Sequence, residues 1–314
     1  MTELGVNVLW EDSKDDDDEV TRRKARRLIN YLISLNANSV ALNFPFFMDS
    51  ARASVVKAHE LTPSPQRVAI FLQEAEASAM RVRLRPLLDE RSLGTAWRGT
   101  IAPANRDKWF ASYTSFLLPY AKAGQEHGAV GFVLAVELNS LQGDRRWADV
   151  ISEIRKVFTG DLTYSANFDA YQNRLPTPAV DRIGVDVYFK TQLPDSASVA
   201  QVSAEWRKWI KRNAGSRPRQ LVLDEVGIAA QDGAFRHPGS WGNTRAKLNL
   251  SVQTRWFAAV CDAIAAEGIG GVYFWYVRMH HNPGSENPGQ ADRLTFVDRP
   301  AEGAVRDCFA RLGA

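Results

Sequence analysis

Cysteine is scarce in this chain: among 314 residues only Cys261 and Cys308 carry a thiol. Each sits in an amphipathic helical pattern near Ala and Phe, so two buried thiols are expected rather than a disulfide or a metal site. Histidine is nearly as rare, at five. A metal-dependent hydrolase needs histidines and carboxylates at several strand ends, and that supply is lacking. The adjacent His280-His281, read as strand neighbours, point to opposite faces and cannot share an ion. Neither charge sign dominates: 39 basic residues stand against 36 acidic ones. Without a concentrated basic field, nucleic acid is not the expected partner. No apolar run approaches the roughly 18 residues that a membrane span requires, so no membrane partner is expected. Met1 to Trp10 lacks the basic start and long apolar centre of a signal peptide. As given the chain reads as cytoplasmic, or as secreted if a leader has been removed. A Gly-x-Ser-x-Gly elbow is also missing.

What is present is a full complement of core formers, with 45% hydrophobic and 24% charged residues, enough for one folded domain over residues 1–314. Short runs rich in β-branched and aromatic residues alternate with segments of helical period. The strands are expected at Leu4–Trp10, Ser39–Phe46, Val82–Leu88, Gly131–Glu137, Leu162–Asn167, Ile183–Phe189, Leu221–Glu225 and Gly271–Val277. Helices follow each, near 19–35, 64–79, 105–127, 144–158, 170–180, 197–213, 249–267 and 301–312. Eight such pairs predict a single (β/α)8 barrel of the TIM type. Long loops are expected after strands two, three and seven, at Met48–Leu61, Asp89–Asn105 and Ala229–Leu248, on the face where barrel enzymes build their sites. Thr62-Pro63-Ser64-Pro65 marks a helix start and Glu267-Gly268 a helix end. The acidic run Asp15–Glu19 lacks the glycine and spacing of a calcium loop and reads as the start of helix one. Gly268, Gly270 and Gly271 precede strand eight, the wrong end of a barrel for a phosphate site.

Two strands end on a glutamate, Glu137 and Glu225. Alternation along a strand would place Val133, Ala135 and Glu137 on one face and Leu221, Leu223 and Glu225 on another, both continuing an apolar inward row. A carboxyl at the rim of such an interior is desolvated, and the one with fewer compensating partners has its pKa raised, the asymmetry that an acid and a nucleophile require. If the two stand about 5–5.5 Å apart, the pair has the geometry of a retaining glycosidase, and neither metal nor organic cofactor is needed. Aromatic faces stack on pyranose rings, and Trp97, Trp241 and Trp275, with Trp10 at the end of strand one, lie where they can line a cleft. Trp206 and Trp209, three apart on a helix, read as packing. The competing readings are that both glutamates are structural carboxylates paired with arginines, and that the barrel binds carbohydrate without turning it over.

The chain resembles glycoside hydrolase family 113, β-mannanase-type enzymes of the large retaining clan with (β/α)8 barrels. The resemblance is carried by Trp97-Arg98-Gly99, Trp109-Phe110-Ala111-Ser112-Tyr113, Val136-Glu137-Leu138, Tyr164-Ser165-Ala166-Asn167-Phe168-Asp169, Asp186-Val187-Tyr188-Phe189, Asp224-Glu225-Val226-Gly227 and the strand ending in Trp275. It implies that Glu137 is the acid/base, Glu225 the nucleophile, Tyr188 the hydrogen-bond partner of the nucleophile and Trp275 the floor beneath the sugar. Asn167 and Trp97 are implied substrate contacts, and Arg85 joins them. The implied partner is an oligosaccharide or polysaccharide. Two positions depart from the pattern: Val136 stands where the clan has Asn and this family a small polar residue, and Arg85-Pro86-Leu87 replaces a Lys-Pro-His-like run.

Overall fold

The computed structural model describes residues 2–215, 218–240, 245–285 and 292–313. Eight parallel strands, β1 (Glu3–Leu9), β2 (Ser39–Phe46), β3 (Arg81–Leu88), β4 (Gly131–Val136), β5 (Asp161–Asn167), β6 (Arg182–Val187), β7 (Val222–Val226) and β8 (Gly271–Arg278), close in chain order. β1 pairs with both β2 and β8, which seals the ring. The helices after successive strands are α1 (Asp18–Ser34), α2 (Pro65–Glu76), α3 (Arg106–Glu126), α4 (Trp147–Arg155), α5 (Phe168–Gln172), α6 (Val199–Ala214), α7 (Leu250–Glu267) and α8 (Pro300–Gly313). This is a (β/α)8 barrel.

Local chemistry sets the helix ends. Ser64 accepts from the Arg67 amide and Pro65 occupies the first turn of α2, where its missing N–H costs nothing. Asp17 caps α1 through the Val20 amide. Gly268 ends α7 at φ +68°, a left-handed cap that suits a residue without Cβ. α5 is shorter than expected, one and a half turns rather than residues 170–180. Its apolar content, Phe168, Ala170 and Tyr171, ends before Pro176 and Pro178, which cannot continue a helix.

The main apolar core lies between the strands and the helices. Phe189, Trp206 and Trp256 knit α6 and α7 together, with Phe189 and Trp209 stacked at 7°. Cys261 on α7 and Cys308 on α8 are joined by a disulfide, Cα atoms 5.5 Å apart, correcting the expectation of two free thiols. The amphipathic period of each helix shows burial; only their packing as neighbours brings the two sulfurs together.

Inside the barrel the layers are ionic, not the apolar row expected. Arg83 meets Glu3 at 2.8 Å and Asp224 at 3.3 Å. Above it, Arg85 donates to both oxygens of Asp186 at 2.8 and 2.9 Å and to Asn43, which is tied to Asn7. Glycine provides the space: a Cβ on Gly184 would fall on the Asp224 carboxylate, and one on Gly5 on the Tyr273 ring. Simple alternation fails where β4 and β7 bulge; β8 bulges too, at Tyr276. The β4·β5 register skips Leu134, and the β6·β7 register skips Asp224. Ala135, Leu221 and Leu223 therefore join the outer core, while Val133, Val136 and Leu87 form a separate apolar cluster.

Candidate active site

The cavity at the carboxyl ends of the strands has a volume of about 510 Å³. Its wall includes Glu137, Asn167, Tyr188, Glu225, Trp97 and Trp275, six of the residues singled out from the sequence. Glu137 follows β4 directly, with its backbone at φ +53° and its amide donating to the Ser165 carbonyl. The Asn167 side chain, at the end of β5, donates to Glu137 Oε1 at 2.6 Å. Glu225 lies on β7 just past the bulge. The Tyr188 hydroxyl donates to its Oε2 at 2.7 Å, and Arg85 sits 2.7 Å from its Oε1.

Burial pushes the Glu137 carboxyl up to about 7, and the negative charge of Glu225 adds to the push. Arg98, Arg85 and the Asn167 hydrogen bond pull in the opposite direction and are outweighed. A carboxyl in that range holds its proton long enough near neutrality to donate it and can take one back. Desolvation also raises Asp186 well above the usual carboxylate range despite Arg85. Burial opposes the charge of Arg98, but Glu137, Glu90 and Glu225 outweigh it and raise its pKa.

Two sequence candidates fall elsewhere, and a third is not described. Arg85 is buried beneath the cavity, where it holds Glu225 and Asp186 rather than meeting a ligand. It was the polar member of a departing motif, and its strand alternation puts it inward, one layer too deep. Trp10 is buried in the outer core against Phe71, because it continues the outward row of Leu4, Val6 and Val8. Trp241 lies outside the described residues. His237 lines the cavity from the loop after β7, while His280 and His281 follow β8 in a turn rather than lying on a strand. Val136 and Leu87, the two departures from the family pattern, pack together against Leu9 and Trp275.

Several wall residues escaped sequence reasoning. Arg98 donates to Glu90 at 2.8 Å. Arg278 lies 3.5 Å from Glu11 and 3.4 Å from Asp292, with its guanidinium over Tyr276. Leu294 reaches the cavity from the segment after β8, a loop not anticipated. Phe168 and Lys190 also line the cavity. All end or follow strands, which is the signal that could have found them. Among the described residues no group of three or more His, Cys, Asp or Glu is placed to hold a metal ion, and no helix is long and apolar enough to cross a membrane.

Residues 13–293 match the family described as Glycoside Hydrolase Family 113. The chain belongs to glycoside hydrolase family 113. As a family 113 protein it is a retaining glycoside hydrolase with a carbohydrate substrate. Among solved structures, a complex of a GH113 β-1,4-mannanase superposes with a TM-score of 0.83 at 18% identity, covering 98% of this chain and 99% of that one. The GH113 β-mannanase AaManA from Alicyclobacillus acidocaldarius, in complex with ManMIm, gives 0.80 at 21% identity, covering 99% and 98%. A Faecalibacterium prausnitzii β-glucuronidase gives 0.63 at 12%, covering 99% of this chain and 49% of its own. At these identities the likeness is one of fold. The search of curated proteins gives no match.

Proposed function

We propose that this family 113 enzyme cleaves a β-linked, mannose-containing oligosaccharide or polysaccharide, with Glu137 as acid/base and Glu225 as nucleophile. The observation that carries the reading is the pairing of unlike carboxyls in one cavity: Glu137 desolvated with its pKa near 7, Glu225 held between the Arg85 guanidinium and the Tyr188 hydroxyl. In the first step Glu225 attacks the anomeric carbon as the glycosidic C–O bond breaks, and Glu137 gives its proton to the departing oxygen. In the second, Glu137 takes a proton from water, the hydroxyl attacks the same carbon, and the Glu225 ester is released. Asn167 orients Glu137, Tyr188 fixes the attacking carboxylate, and Trp275 and Trp97 offer faces to the sugar.

The test is turnover of β-mannan and of aryl β-mannosides by wild type, Glu225→Ala and Glu137→Ala. Removing the nucleophile is expected to lower kcat by roughly 10³-fold or more on every substrate. Removing the acid/base should spare the first step on aryl substrates whose leaving group needs no proton and slow the second, and external azide should restore turnover, yielding the β-glycosyl azide. Equal rates in all three proteins would contradict the assignment.

A further inference from the structure

A second groove, of about 460 Å³, runs along the outer wall between α5 and α6. Phe168 and Lys190 border both this groove and the catalytic cavity, so the two spaces meet at those side chains. The half-buried Phe168 ring lines it, with Phe189 and Trp209, buried and stacked on each other, at its base. Three cations, Lys190, Lys208 and Arg212, face it, against one carboxylate, Glu205. All three cations are exposed, and among the described residues no ion pair engages any of them. Elsewhere on the surface, arginines and lysines are commonly paired, as at Arg207 and Lys211 on the same helix, both bound to Glu267.

We infer that this groove is an extension of the substrate track that takes an acidic sugar, a pyranose bearing a carboxylate, on the chain leaving the cavity. This rests on reading the cavity as the site of cleavage and specifies the kind of polysaccharide presented to it. The half-buried Phe168 ring suits the C–H face of a pyranose, and lysine and arginine supply charge-assisted hydrogen bonds to a carboxylate. A neutral mannan would gain the first contribution and leave the cations idle. A polyanion without sugar rings would gain only the second.

Binding is the readout, measured by calorimetry at low salt with the full chain carrying Glu225→Gln, so that turnover is not involved. The probes are oligosaccharides of alternating mannose and glucuronic acid, the same oligosaccharides after carboxyl reduction to neutral alcohols, and polyaspartate of similar length. The acidic oligosaccharide is expected to bind roughly tenfold more tightly than its reduced form, the effect of a few solvent-exposed charge pairs acting together. Adding Lys208→Ala and Arg212→Ala should abolish that difference, leaving the affinity of the reduced form, the melting temperature and, in the Glu225 protein, aryl mannoside turnover unchanged. Equal affinity for acidic and reduced forms, or displacement by polyaspartate at the same concentration, would overturn the inference. Failure of aryl mannoside turnover in the wild type would instead count against the cleavage assignment, since the binding comparison needs no chemistry.

Discussion

Glu137 leaves β4 with its backbone in the left-handed region, where a residue bearing a Cβ stays only if its surroundings hold it. The holding groups are visible: its amide is fixed on the Ser165 carbonyl and its carboxyl on Asn167. On the proposed assignment of Glu137 as acid/base, the same residue sets the pH response. An acid catalyst works while protonated, so with a pKa near 7 the kcat/KM profile should descend on its alkaline side around that pH. Arg98 pulls the Glu137 carboxyl down. Arg98→Gln should therefore move the alkaline limb to higher pH, and a pH series of kcat/KM on an aryl mannoside checks it; an unmoved limb, or one moved to lower pH, contradicts it. The two glutamates were legible because both end strands of one barrel, but the inward row invoked to place them was not the one that forms. Nothing local in Trp97-Arg98-Gly99 says that the Arg98 guanidinium reaches two carboxylates from other strands.

At the scale of elements, the bulges of β4 and β7 explain both success and failure. A bulge puts consecutive residues on the same side of a strand, so Asp224 turns into the ionic layer while Glu225 still faces the cavity. Each skipped residue has its carbonyl answered by a side chain: Tyr113 donates to Leu134 at 2.6 Å, and Asn7 to Asp224 at 2.9 Å. Tyr113→Phe keeps the aromatic packing against Trp109 and Trp147 and leaves the Leu134 carbonyl buried without that partner. It should cost about 1–3 kcal/mol in denaturant unfolding. A change within a few tenths of a kcal/mol would mean the bulge is held by something else. Strand and helix positions were readable from periodicity, whereas bulges are set by long-range partners such as Tyr113 that no local window contains. The ionic interior was readable in principle: Arg83 and Arg85 are two apart on β3, a strand buried on both faces, so both must find acids inside the ring.

For the molecule as a whole, the ring closes where the chain's two ends meet, β1 against β8, with α8 packed over the seam and tied to α7 by Cys261–Cys308. The bridge spans 47 residues and lies on the helical shell, away from the cavity. Reducing it, or making Cys261→Ser with Cys308→Ser, should lower unfolding stability by about 2–4 kcal/mol. Turnover at room temperature should be unchanged; equal stability of both forms, or loss of kcat with the fold intact, contradicts this. The barrel itself follows from eight repeats of one pattern, which is why it was the most legible feature. The disulfide was the least legible, because it depends on how two distant helices face each other.

The assignment of chemistry to Glu225 is tested by trapping the intermediate. The enzyme is incubated with a 2-deoxy-2-fluoro-β-mannosyl fluoride, digested, and the labelled peptide mapped by mass spectrometry. One fluoroglycosyl group per chain, esterified to Glu225, is the expected result. An adduct on Glu137 or on any other side chain would contradict it.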